Sequence, residues 1–255
     1  MISADLAGRA ALVTGGASGV GLATVELLAR CGATVALNHR PGNAEADREI
    51  ARLNGAGLAI IAAPGDVGKP GEAERMIEAA LQQLGRLDIL VNNAATPGTP
   101  SKGKRFHPRD LDVVTEEWWQ EVLSTNLVGP FRCTRAAAAA LRRTSGAVVN
   151  TASIAGIGPV GSNMVYGASK AGLIRLTAYL ARALAPEVRV NAVAPGYVDT
   201  PWTKDWPEDL KESAIKRTPL RRACTPADIA EVILFFAAGA AMVTGQTLVV
   251  DGGLL

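Results

Sequence analysis

Histidine, cysteine and aromatic side chains are all scarce in this chain of 255 residues. Its two histidines, His39 and His107, lie far apart in sequence. His107 has no companion ligand near it, so no metal site is expected, and a hydrolytic Ser/His/Asp set has equally little to draw on. The three cysteines, Cys31, Cys133 and Cys224, are odd in number and widely spaced, which argues against a disulfide scaffold and for a reducing, cytoplasmic setting. An excess of one charge is missing too. Twenty-six Lys and Arg stand against 24 Asp and Glu, too even for the broad basic footprint of a nucleic-acid binder. The longest apolar run, residues 232–243, has 12 members, whereas crossing a bilayer takes about 20. No basic stretch followed by a long apolar one opens the sequence, so neither a secretory leader nor membrane insertion is expected.

What the chain does have is apolar residues, 48% of the total, arranged as short β-rich runs alternating with longer helical patterns. Seven strands are predicted, near residues 10–14, 34–38, 58–62, 89–92, 147–152, 189–193 and 247–250. Several are nearly continuous apolar stretches, as strands buried on both faces require. Between the first two, residues 21–30 carry Leu22, Val25, Leu28 and Ala29 at helical spacing, and Gly32 stops the helix. Strand–helix–strand repetition of this kind predicts one α/β domain over residues 1–255, a parallel sheet with helices on both faces. Two segments interrupt the alternation, residues 96–112 and 200–219, and long irregular loops in such folds often carry function.

Immediately after the first strand the chain reads Thr14-Gly15-Gly16-Ala17-Ser18-Gly19-Val20-Gly21 and enters the first helix. Missing side chains at Gly15, Gly19 and Gly21 let backbone approach a pyrophosphate, and the helix N-terminus offers free N–H groups to the anion. Taken alone, the turn is equally consistent with a tight structural connection.

The T-G-x-x-x-G-x-G spacing resembles the short-chain dehydrogenase/reductase family. Asn92-Asn93-Ala94-Ala95 is similar to that family's N-N-A-G, Tyr166 and Lys170 form its Y-x-x-x-K, and Pro195-Gly196 its P-G turn. The matches keep their order over nearly the whole chain. The resemblance implies a Rossmann-type doubly wound seven-stranded sheet of order 3-2-1-4-5-6-7, a nicotinamide dinucleotide and a homotetramer. It also implies cofactor contacts from Gly15, Ser18, Gly19, Val20, Gly21, Asn93, Ala94, Tyr166, Lys170, Pro195, Gly196, Val198 and Thr200, and an adenine contact from Asp66 and Val67.

Cofactor choice turns on the end of the second strand, where enzymes that select NAD place a carboxylate for the ribose hydroxyls. Here the chain reads Asn38-His39-Arg40, with His39 where the resemblance puts that carboxylate. A guanidinium at Arg40 can grip a 2′-phosphate, and no carboxylate repels it. NADP(H) is therefore expected, with NAD(H) still open and Arg40 as an ordinary solvated arginine the competing reading.

Tyr166 and Lys170 stand four apart in a helical stretch, which puts them on one face a turn apart. A nearby ammonium and an oxidised nicotinamide both favour phenolate, so Tyr166 is expected to give a proton in reduction and take one in oxidation. The resemblance makes Ser153 the residue that orients the carbonyl and Asn126 the support of a proton path behind Lys170.

The expected substrate is a small ketone or secondary alcohol. An apolar wall from Ile154, Ile157, Val160 and Met164 is expected to border it, with Trp202 and Trp206 closing over it or packing between subunits. Lys102, Lys104, Arg105 and Arg109 make the earlier loop basic, which suits either an acyl-carrier or coenzyme A partner or simple solvation. Narrower alternatives are reduction of 3-oxoacyl-(acyl carrier protein) and sugar oxidation of the glucose 1-dehydrogenase kind; the rival class is a catalytically silent dinucleotide sensor.

Overall fold

The structure is a computed structural model that describes residues 3–98, 111–159 and 162–255. Seven parallel strands form one sheet in the order β3-β2-β1-β4-β5-β6-β7. They are β1 (Ala10–Val13), β2 (Thr34–His39), β3 (Ile60–Pro64), β4 (Ile89–Asn92), β5 (Ala147–Thr151), β6 (Arg189–Pro195) and β7 (Thr247–Val250). All seven expected strands are present. The third starts two residues later than the pattern suggested, because Leu58 is still tied to the end of the preceding helix through Leu53 O. Asn54 then brackets Ile60, accepting from its N–H and donating to its carbonyl.

The helices are α1 (Gly19–Arg30), α2 (Ala44–Gly55), α3 (Glu72–Leu84), α4 (Glu116–Leu123), α5 (Gly129–Thr144), α6 (Met164–Leu184), α7 (Glu208–Arg217) and α8 (Pro226–Ala238). The two-residue period of β1 shows why both faces are covered. Ala11 and Val13 join a core with Leu28 of α1, Leu53 of α2 and Ile233 of α8. Leu12 points the other way, into a core with Ile77 of α3, Leu141 of α5 and Leu180 of α6. No helix among the described residues is long and apolar enough to cross a membrane. The apolar run at residues 232–243 is instead split, with α8 ending at Ala238.

From β1 the chain steps outward to β2 and β3, then returns to the other side of β1 for β4. Where the order reverses, the loops leaving the carboxyl ends of β1 and β4 diverge, which is where open α/β sheets bind ligands.

Candidate functional site

Thr14 closes β1 and organises the glycine turn from below. Its hydroxyl donates to Val91 O at 3.3 Å and accepts from the N–H groups of Asn93 (2.9 Å) and Ala94 (3.0 Å). The Asn93 amide donates to Thr14 O (3.1 Å) and Gly15 O (3.2 Å). Asn38, buried at the end of β2, accepts from Gly15 N–H at 3.2 Å and donates to Ala63 O and Gly65 O. The ends of β1, β2, β3 and β4 are thus locked together. A Cβ at Gly21 would lie 2.1 Å from Gly15 O and 2.6 Å from the Asn93 amide nitrogen, so the turn folds this tightly onto α1 only with glycine there. Ser18 caps α1 with extended backbone but makes no side-chain capping bond, leaving the first-turn N–H groups at Gly19, Val20 and Gly21 without a side-chain partner.

At the end of β2, His39 is buried and Arg40 exposed. His39 Nδ1 lies 2.9 Å from Arg40 O; a carbonyl only accepts, so Nδ1 carries the proton and Nε2 is an acceptor. That Nε2 is buried and has no partner. Asp66 turns inward on its own loop, accepting from Gly68 N–H at 2.8 Å, and Val67 is core.

The residues expected to move protons come from three elements. Between α4 and α5 the helix widens into a π-helical segment, Ser124–Val128, an irregularity often found at functional sites. It presents Asn126, fully buried, which accepts from Thr96 N–H (2.8 Å) and donates to Thr96 O (2.9 Å) and Ser169 Oγ (3.1 Å). Helix α6 starts at an N-cap, Asn163, whose side chain accepts from Tyr166 N–H at 2.8 Å and donates to Pro97 O. One turn on, Lys170 is 1% exposed. Its Nζ donates to Thr151 O at 2.6 Å and lies 5.5 Å from the centre of the Tyr166 ring. Ser153 follows β5 and caps a short 3₁₀ turn, accepting from Ala155 N–H, while its hydroxyl lies near enough to the Tyr166 phenol to ease loss of the phenolic proton. A Cβ on Gly156 would lie 2.6 Å from backbone atoms of Lys170 and Ala171; glycine there lets the Ser153 turn sit directly on α6.

A family model described as Enoyl-(Acyl carrier protein) reductase matches residues 15–255. The "Granaticin polyketide synthase putative ketoacyl reductase 2" of Streptomyces violaceoruber is 40% identical over 246 residues, spanning 95% of this chain and 94% of that protein. The chain belongs to the short-chain dehydrogenase/reductase family. Another relative, the 3-oxoacyl-(acyl-carrier-protein) reductase FabG of Thermotoga maritima, is 36% identical over 98% of this chain and 99% of its own length. Among solved structures, the short-chain dehydrogenase/reductase named as a glucose/ribitol dehydrogenase from Brucella melitensis superposes with a TM-score of 0.89 at 29% identity, covering 100% of this chain and 99% of that one. The chain is therefore an NAD(P)-dependent oxidoreductase acting on C=O or CH–OH groups.

The residues present fit the dinucleotide that the short-chain dehydrogenase/reductase family uses. The uncapped start of α1 suits a pyrophosphate, and the orphaned His39 Nε2 lacks the donor that a ribose hydroxyl would supply. The loop after β6 closes onto the same turn. Thr200 Cγ2 lies 3.3 Å from where a Gly19 Cβ would stand, and Trp202 meets Tyr166 with ring centres 6.0 Å apart. The loop after β6 thus touches both the glycine turn and the phenol. Pro195 ends β6, Gly196 is packed against Asp251, and Val198 bridges to Cys224.

Burial dominates the electrostatics of Tyr166 and Lys170. It pushes the Tyr166 phenol up to about 12, against the lowering effect of the Ser153 hydroxyl, and brings Lys170 down to about 7. With its value raised this far, the phenol is held protonated at neutral pH.

Several expectations are refined. Ile154 is core, not wall. Trp206 stacks on Tyr197 at 5.6 Å and 14°, and Trp202 alone of the two reaches Tyr166. Asn38 spends its side chain holding the turn. Lys102, Lys104, Arg105, His107, Arg109 and Val160 lie outside the described residues. Sequence reasoning passed over Thr14, Gly156, Asn163 and Ser169; of these only Asn163 had a readable signal, an Asn three residues before a helical Tyr.

Proposed function

We propose that this chain is an NADP(H)-dependent carbonyl reductase working on ketones and, in reverse, on secondary alcohols, with Tyr166 as general acid and base. The observation that carries the reading is the Lys170 Nζ 5.5 Å from the centre of the Tyr166 ring, with the Ser153 hydroxyl near the phenol. When bound, the dinucleotide supplies the hydride in reduction and accepts it in oxidation. Ser153 donates to the carbonyl oxygen and holds it beside the phenol. Tyr166 gives that oxygen its proton, and Lys170 favours the phenolate left behind. Asn126, through Ser169 and Thr96, fixes the helix turn from which Lys170 projects.

Preference for the 2′-phosphate is assigned to Arg40, exposed at the end of β2 with no carboxylate at residues 38–40; Gly15, Ser18, Gly19, Val20, Gly21, Asn93 and Ala94 frame the pyrophosphate side and Pro195, Gly196, Val198 and Thr200 the nicotinamide side. A 3-oxoacyl substrate is the narrower version that the names of the Streptomyces and Thermotoga relatives favour. Assembly as a homotetramer is supported by exposed apolar side chains on β7 (Leu248, Val249) and α8 (Phe235). The test is loss of NADPH absorbance with a panel of ketones, 3-oxo esters and sugars, with Tyr166→Phe as control. Turnover surviving in that variant, or no turnover by the parent, would defeat the reading.

A further inference from the structure

The segment that leads in sequence to Tyr166 is free of charge. No residue from 153 to 165 has an ionisable side chain, and Ile157 and Met164, which both precede the phenol, are 50% and 43% exposed. From the loop after β6 comes a third apolar surface. The Trp202 indole meets the Tyr166 ring at 6.0 Å and 56°, yet remains 45% exposed.

Its carrier is held in place from both sides. Thr203 Oγ1 donates to Val198 O at 3.0 Å and accepts from Thr200 N–H at 3.2 Å. Four residues past Trp202, Trp206 is stacked nearly parallel on Tyr197. Leaving a large flat side chain half in water loses the stabilisation that its burial would bring. Here the exposure is built in, because the anchors on either side of Trp202 hold it beside the proton donor.

The geometry points to Trp202 as a specificity-determining residue that stacks on a flat unsaturated ring attached to the substrate carbonyl. The substrate class is an uncharged aryl or cyclic unsaturated ketone, not a polyhydroxylated sugar. This inference rests on the carbonyl-reductase reading and narrows its substrate. Trp206 acts as a positioning residue, holding the loop through Tyr197.

Acetophenone and cyclohexyl methyl ketone share one skeleton and differ in the aromaticity of the ring, so comparing them isolates stacking. With NADPH, the ratio of kcat/KM for the aryl over the saturated ketone is expected to fall about fivefold or more in Trp202→Leu, through KM, as loss of an aromatic pair implies. Trp202→Phe should keep most of the ratio. Calorimetric binding of acetophenone to the NADP-loaded protein should weaken in parallel in Trp202→Leu. Reduction of both ketones at a ratio unchanged by Trp202→Leu would overturn the stacking role while leaving the reductase reading intact. If neither ketone is reduced although a 3-oxo ester is, the aryl-ketone class falls and the reductase reading stands; if nothing in the wider panel is reduced, the reductase reading falls, and acetophenone binding that does not differ between parent and Trp202→Leu then overturns the stacking role as well.

Discussion

Lys170 reaches across from α6 to donate from Nζ to the backbone carbonyl of Thr151, 2.6 Å away at the end of β5. Ser153 leaves the same strand two residues later. A single bond therefore references the ammonium to the strand that positions the serine, and Tyr166 stands one helical turn before Lys170. The arrangement burdens the folded protein with a buried amine, whose affinity for its proton falls because water is excluded.

That burden gives a pH signature. Unfolded, Lys170 titrates near its ordinary 10.5; folded, burial brings it down to about 7. Between these values the unfolded chain binds the extra proton, so this residue's contribution to stability is most favourable above 10.5 and declines as pH falls through 7. Lys170→Met removes the titration. The difference in Tm, variant minus parent, should be most positive at pH 6 and shrink steadily toward pH 10 in calorimetric scans. A gap that widens with pH would contradict the burial effect.

Tyr166→Phe should lower turnover by about 10² to 10⁴-fold, the usual worth of a positioned acid or base, while leaving dinucleotide binding by fluorescence titration nearly unchanged. Burial holds the phenol up at about 12, which favours the proton-donating form. Alcohol oxidation needs phenolate and should therefore quicken as pH rises from 7 toward 10. An oxidation rate flat over that range, or a Phe variant as fast as the parent, would count against Tyr166.

Arg40→Ala should raise KM for NADPH by about tenfold or more, the worth of a charge-assisted hydrogen bond, and leave KM for NADH nearly unchanged. Adenosine 2′,5′-bisphosphate should lose affinity in step in a direct binding titration. Equal effects on both cofactors would return Arg40 to the status of a solvated arginine.

Gly21→Ala should be costly, since its methyl group would meet Gly15 O and the Asn93 amide at once. Overpacking of this kind costs about 1–3 kcal/mol, and dinucleotide affinity should fall at least tenfold because the displaced turn is the one that frames the pyrophosphate. Gly55→Ala is the control. It lies in α2 with nothing within 4 Å of a new Cβ, and should be neutral or stabilise by up to about 1 kcal/mol. Similar melting and binding changes in the two variants would refute the steric account.

The sheet could be read from the sequence because parallel strands buried on both faces leave continuous apolar runs such as Ile89 to Val91, and several of the seven announced themselves this way, whereas β7 keeps Leu248 and Val249 exposed. Residues whose side chains carry chemistry at fixed spacing, Tyr166 with Lys170 and the glycines after β1, were equally legible. The supporting contacts were not. Thr14 looks like any strand-end threonine until three backbone groups are seen to meet its hydroxyl. Trp202 and Trp206 look interchangeable in sequence, and only the stacking of one on Tyr197 and the tilt of the other against Tyr166 separate them. These depend on long-range approach, for which no local periodicity exists.

Gly156 is the sharpest case of such a hidden contact. It is neither a hydrogen-bonding partner nor a neighbour in sequence of the phenol, yet a Cβ there would lie 2.6 Å from the carbonyl carbon of Lys170 and from Ala171 N. Backbone atoms in a helix do not yield, so Gly156→Ala must push the 3₁₀ turn away from α6 and take Ser153 with it. Tyr166, held by the Asn163 cap, stays where it is. The approach of the Ser153 hydroxyl to the Tyr166 phenol should lengthen, and because misplacement of about 1 Å costs as much as 10²-fold in rate, kcat should drop sharply. The glycine turn is built from other strands, so KM for the dinucleotide should hardly move. A fall confined to cofactor affinity, with kcat preserved, would show that the turn bearing Ser153 tolerates displacement and that its seat on α6 does not set the geometry of proton transfer.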